Sequence, residues 1–320
     1  MKPAAAPPPA AAAAGAADWS QAPERSNAFA LRVMSWIALR CGRRVARWVL
    51  HPITLYFVLF APGPRRQSRR YLGRALGREA GWIDGYRQVF AFASTILDRV
   101  YFLGDRMDLF DVRVVGAEQV DVALEAGRGA FLVGAHAGSF EALHVVGRHH
   151  AGLRIAMVMY PDNARLINAA LAAVAPHYRP AIIPLGRMDS MLAIRDWLDA
   201  GGLAGMLADR SLPEADAARS GQHTLPFLGR DAVFADGPFR LALLLKRRVF
   251  FMAGLYLGGR RYEVRIEPLA DFSTPTGGAA ERERLIADAL GAYVQRLEAL
   301  CREHPYNWFN FHDFWREDGA

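Results

Sequence analysis

The chain has 320 residues, is 52% hydrophobic and carries a formal net charge of +7. That apolar content is enough for a sizeable core, on a chain long for one domain and short for two large ones. Cys41 and Cys301 are the two cysteines, which excludes a disulfide framework and fits a reducing compartment. The positive charge is local: Arg25 to Arg78 holds twelve arginines and no acidic residue, so the rest of the chain nets about −5 by difference.

Residues 1–18, rich in proline and alanine, read as a low-complexity tail, and prolines make the stretch a poor signal peptide. From residue 27 the pattern changes. Phe29, Val33, Trp36 and Ile37 recur at helical spacing, then arginines follow. Val49 to Ala61 is the most apolar run, interrupted by His51-Pro52 and short for a transmembrane helix, which needs ~20 residues. With Trp36, Trp48, Tyr56 and the flanking arginines, it predicts a region that docks on an anionic membrane surface. The alternative is a helical cap with a solvated arginine face. The domain expectation is a tail over 1–26, a basic amphipathic docking region over 27–80 and an α/β domain over 81–320.

Residues 83–103 read as an amphipathic helix. Apolar runs beginning near 129, 153, 181 and 203 then read as strands, each followed by a helical pattern. Residues 249–269 read as a hairpin around Gly258-Gly259, and 279–303 as a long helix. This alternation predicts an α/β sheet with helices on both faces.

Chemistry in such sheets gathers where strands end and helices begin. "AFLVGAHAGSFEAL" is such a junction, with His136 at the strand end and Glu141 in the first helical turn. A carboxylate on one ring nitrogen fixes the tautomer, and the other nitrogen can then take a proton from a hydroxyl. Main-chain N–H groups around Gly138 to Phe140 are candidates to hold an oxyanion. The bland reading is a glutamate that merely favours the helix dipole. Ser139 is not in a nucleophile elbow. The histidines form no metal pattern, no phosphate loop follows a strand, and the basic block does not look like a nucleic-acid binder.

Several blocks in order resemble the bacterial lipid A late acyltransferases of the lysophospholipid acyltransferase superfamily. They are His136 with Glu141; "MYPDNARLIN" from Met159; Arg187 through Asp209-Arg210; "LPFLGRDAVFADG" from Leu225; and Pro305, Trp308, His312 and Trp315 near the end. The last block is closer to a predicted-acyltransferase branch of that superfamily, one often linked to aryl polyene-type lipid pathways.

The resemblance implies a largely parallel central sheet flanked by helices, as in glycerol-3-phosphate acyltransferases. It implies transfer of an acyl group from an acyl thioester, on acyl carrier protein or coenzyme A, to a hydroxyl of a membrane lipid or glycolipid. His136 is then the base and Glu141 its partner, with Arg187, Asp209, Arg210 and Asn163 as substrate-binding candidates. No metal or cofactor is implied, and the expected place is the cytoplasmic face of the bacterial inner membrane, peripheral or held by one N-terminal anchor. Departures from the family, such as "VFADG" after the Phe-Leu-Gly segment, leave the acceptor open. A non-catalytic lipid-binding scaffold and a thioesterase-like hydrolase remain as competing functions.

Overall fold

The computed structural model describes residues 28–120, 127–143, 154–160, 181–186, 189–210, 221–274 and 277–315. Three helices come first: α1 (Ala28–Phe60), α2 (Pro62–Leu76) and α3 (Trp82–Leu103). α1 is kinked at Gly42, whose φ of 83° lies in the left-handed region. Proline at the first position of α2 lacks a donor that the helix leaves unused there, and Gly77 closes it in left-handed geometry. α3 opens with Asp84 accepting the Gly81 N–H at 2.9 Å, while Arg78 pairs with the same carboxylate at 2.8 Å.

Among the described residues nine strands follow: β1 (Asp111–Val115), β2 (Phe131–Gly138), β3 (Ile155–Met159), β4 (Ala181–Pro184), β5 (Leu203–Leu207), β6 (Gln222–Phe227), β7 (Arg230–Ala235), β8 (Arg248–Tyr256) and β9 (Arg261–Asp271). The further helices among the described residues are α4 (Ser190–Asp199), α5 (Gly237–Leu244) and α6 (Ala279–Glu303). Among the described residues the main sheet has seven strands in the order β1-β9-β8-β2-β5-β3-β4. Every neighbouring pair in it is parallel except β8 with β9. This is the mixed, largely parallel α/β sheet expected.

Side chains alternate across the sheet, so each strand feeds two cores. Phe131, Val133 and Ala135 of β2 join Tyr71 and Leu72 of α2, Ile194 of α4, Phe239 of α5 and Tyr293 of α6. Leu132 faces the other way, with Ala91 and Phe102 of α3 and Phe250 and Val264. The β8–β9 hairpin turns at Gly258 and Gly259, both at positive φ, as the sequence suggests. β6 and β7 form a separate antiparallel pair, whose Phe227 and Phe234 pack into the first core. Neither that pair nor β1 is among the elements read from the sequence.

The basic N-terminal stretch divides by what each arginine touches. Arg43 reaches Asp98 of α3 with two hydrogen bonds of 2.7 Å, and Tyr262 donates to the same carboxylate at 2.7 Å. Arg47 donates to the Tyr256 hydroxyl at 2.7 Å. These two hold α1 on the domain, whereas Arg40, Arg44, Arg65, Arg66 and Arg69 are exposed.

Candidate active site

β2 and β5 are parallel neighbours in a register that places Gly134 opposite Leu207. Two residues beyond that pair, the strand ends bring His136 against Asp209. Asp209 Oδ1 accepts from His136 Nδ1 at 2.8 Å, and Oδ2 accepts the His136 main-chain N–H at 3.0 Å. Trp308 Nε1 donates to the same Oδ2 at 2.8 Å. The Asp209 side chain is 2% exposed, while the His136 side chain keeps 32%. The carboxylate is therefore sealed, and the imidazole reaches solvent.

Burial alone would raise the Asp209 pKa. The electrostatic attraction and hydrogen bond from His136, then Arg210 and the Trp308 N–H, outweigh it and hold the carboxyl well below its usual range. An ionised carboxylate only accepts, so it places the ring proton on Nδ1. Nε2 is left with its lone pair.

Glu141 is the carboxylate expected on this ring from the H-x4-E spacing. Its observed partners are different: Oε1 pairs with Arg99 of α3 at 2.6 Å, and Oε2 accepts the Ser139 hydroxyl at 3.0 Å. The reason lies in the backbone. Gly138 takes a φ of 64°, and the chain turns into a short 3₁₀ segment, Phe140–Leu143, directed toward α3. The Nδ1 position is filled from the neighbouring strand instead.

Two of the expected oxyanion donors have main-chain partners. Gly138 N–H donates to Asn307 O at 2.9 Å, and Ser139 N–H donates to Gly254 O at 2.6 Å. Both are already committed to the main chain. A Cβ on Gly138 would lie 1.9 Å from Gly254 O, so glycine is required for this approach.

The segment after α6 completes the site. Phe309 N–H donates to His136 O at 2.8 Å, and Ala137 and Trp308 form an antiparallel bridge. Asn307 clamps the segment to β8 through Tyr256 N–H at 2.7 Å and Tyr256 O at 3.0 Å. Gln88 of α3 donates to Trp308 O at 2.7 Å, and Tyr71 of α2 donates to Pro305 O at 2.7 Å. Trp308 is 1% exposed, with Tyr71, Phe227 and Phe314 against its ring edges.

Arg210 follows Asp209 directly; burial pushes its pKa down and Asp209 partly offsets this. His312 feels both. Burial first, then Arg210, push the His312 imidazole down to about 4, so it is neutral at pH 7. Of the residues singled out from sequence, His136, Asp209 and Arg210 thus sit together and Glu141 stands on the adjoining turn. Asn163 and Arg187 lie outside the described residues. Sequence reading gave Trp308 no contact with the carboxylate, and His312 no chemistry.

At this parallel-sheet rim the oriented, part-exposed imidazole of His136 can accept a proton from a group that reaches Nε2. A family model described as bacterial lipid A biosynthesis acyltransferase matches residues 20–317. The chain belongs to this family. As a lipid A biosynthesis acyltransferase family member it is an acyltransferase acting on lipid, with an acyl donor and a lipid acceptor. Comparison with curated proteins finds no match.

Proposed function

We propose that the chain moves a fatty acyl group from an acyl thioester, carried on acyl carrier protein or coenzyme A, to a hydroxyl of a membrane lipid or glycolipid. The work is done at the cytoplasmic face of the inner membrane. The observation that carries this reading is the exposed imidazole of His136, with Nδ1 held by the buried Asp209 carboxylate.

Nε2 takes the proton of the acceptor hydroxyl as its oxygen attacks the thioester carbonyl. Asp209 stabilises the imidazolium that forms, as a buried carboxylate does in hydrolase triads. The tetrahedral oxyanion collapses, the C–S bond breaks, and the leaving thiolate takes the proton back from Nε2. Arg210 supplies positive charge near the developing oxyanion. Glu141, tied to Arg99 and Ser139, fixes the turn that follows His136 at the end of β2. The exposed apolar residues of α1, among them Trp36, Trp48, Tyr56 and Phe60, support contact with a bilayer.

The test is transfer of a labelled acyl chain from its thioester to membrane lipid by the purified protein. His136→Ala is expected to abolish transfer while keeping the melting temperature. Full transfer by that variant overturns the mechanism, and labelled free fatty acid without labelled lipid would make the protein a thioesterase. Lipid mass spectrometry of a deletion strain against its parent then names the acceptor.

A further inference from the structure

The arginines of α2 line one groove. Arg65, Arg66, Arg69, Arg70 and Arg74 border a space of about 910 Å³ with Glu79 as the acidic residue on its wall. In sequence Pro62 is the first residue of this lining and Ala80 the last. Pro62 lies just beyond the tip of α1, where Leu59 and Phe60 are 53% and 63% exposed. Ala80 lies just before α3, where Trp82 and Ile83 are 67% and 48% exposed. Two exposed apolar prongs, twenty-odd residues apart in sequence, thus flank the basic lining along the chain. The bend of 94° between α1 and α2 separates the first prong from the groove.

We infer that this groove holds the headgroup phosphates of an anionic bilayer while the two prongs enter its acyl region. The inference rests on the membrane reading above and names its contact surface.

Three observations choose this occupant. Guanidinium forks match phosphate oxygens in pairs, and every basic residue lining the groove is an arginine. Exposed tryptophan and phenylalanine beside the charges suit the boundary between headgroup and acyl chain. An acidic protein surface would satisfy the arginines and leave Phe60, Trp82 and Ile83 in water. The arginines also bind locally: Arg65 donates to Val58 O at 3.2 Å, Arg69 donates to Ala80 O at 3.2 Å and pairs with Glu79 at 3.0 Å, Arg70 lies 4.0 Å from Asp313, and Arg74 covers Trp315 at 4.6 Å. Arg65 and Arg66, both exposed, stand at the Phe60 end.

The experiment is co-sedimentation of the full chain with phosphatidylcholine vesicles, with and without phosphatidylglycerol. Each basic residue near an anionic surface is worth about 5-fold in partitioning, so Arg65→Gln with Arg66→Gln should weaken binding to the anionic vesicles roughly 30-fold. Phosphatidylcholine binding should change little. Trp82→Ala with Phe60→Ala should weaken binding to both vesicle types. The lysine pair, Arg65→Lys with Arg66→Lys, should recover most of the charge-driven binding and guards against misfolding. Arg260→Gln with Arg282→Gln, remote in sequence, should leave binding within about 2-fold of the parent.

Anionic-vesicle binding that survives Arg65→Gln with Arg66→Gln overturns the groove and leaves the membrane reading standing. Loss of affinity for acyl carrier protein in that variant, with vesicle binding intact, gives the groove to the carrier and overturns it too. If the parent chain binds no vesicle, both the groove and the membrane reading fail, whereas acyl transfer to detergent-dispersed lipid is judged separately.

Discussion

Asp209→Asn exchanges one carboxylate oxygen for an NH2 group, and the contacts decide how the amide sits. Oδ2 accepts two donors, the His136 main-chain N–H at 3.0 Å and Trp308 Nε1 at 2.8 Å. An amide nitrogen there would face both of them, so the carbonyl oxygen takes that place. The NH2 group then occupies the Oδ1 position, 2.8 Å from Nδ1 of His136. Nδ1 must now accept, which moves the ring proton to Nε2. The nitrogen that receives the hydroxyl proton in the proposed mechanism already carries one.

In the serine-histidine-aspartate template the same reversal lowers kcat by about 10⁴. We expect a loss of roughly 10³ to 10⁴ in kcat here, with KM for donor and acceptor within about threefold. The folded state should lose only about 1–2 kcal/mol, because the donors keep an acceptor but not a charged one. The assay is thioester-to-lipid transfer of label, paired with nitrogen NMR of the histidine tautomer. A variant with kcat within about tenfold of the parent and the proton still on Nδ1 would refute the reasoning.

Other changes separate the neighbouring parts. Glu141→Gln removes the charge facing Arg99 and should cost about 3 kcal/mol in a urea titration, with a smaller kcat loss than Asp209→Asn; an equal loss would return the orienting role to Glu141. Trp308→Phe deletes one donor to a buried carboxylate and should cost about 2 kcal/mol and roughly tenfold in kcat, and unchanged turnover would show that Trp308 only packs. For His312 the folded pKa of about 4 lies below the ordinary 6.5, so the unfolded chain takes the proton first as pH falls. Its contribution is complete above 6.5 and is lost as pH drops toward 4. That loss is about 3 kcal/mol, and His312→Gln should remove this part of the slope in pH-dependent melts. Gly138→Ala drives a Cβ into Gly254 O and forces an unfavourable φ, so it should destabilise by at least about 3 kcal/mol; a normal melting temperature would mean that the turn relaxes cheaply.

The strands of the main sheet are legible where an apolar run ends in a helical pattern, as at Phe131, Ile155, Ala181 and Leu203. β1, Asp-Val-Arg-Val-Val, is five residues long and half exposed, so its alternation is too short to stand out. β6 carries Pro226, which argues against a strand unless it lies at an edge, as it does in its two-stranded pair. His136 is legible from its place at a strand end. Its partner is not, because spacing along the chain favours Glu141, while the partner found depends on β2 lying beside β5 in space. Strand order is a property of the whole sheet, and no local pattern encodes it. Trp308 is hidden for the same reason: an aromatic-rich segment reads as core until its indole N–H is seen to reach Asp209.

The bridge between Ala137 and Trp308 has a consequence for how the protein is born. His136 leaves the ribosome early, Asp209 follows after 73 residues, and Trp308 only after a further 99. A nascent chain that stops short of Trp308 carries the imidazole and its acid without the strand that fastens them. Such contacts between distant residues form late and slowly in folding. The group formed by His136, Asp209 and Trp308 is thus complete only once synthesis has passed this aromatic segment.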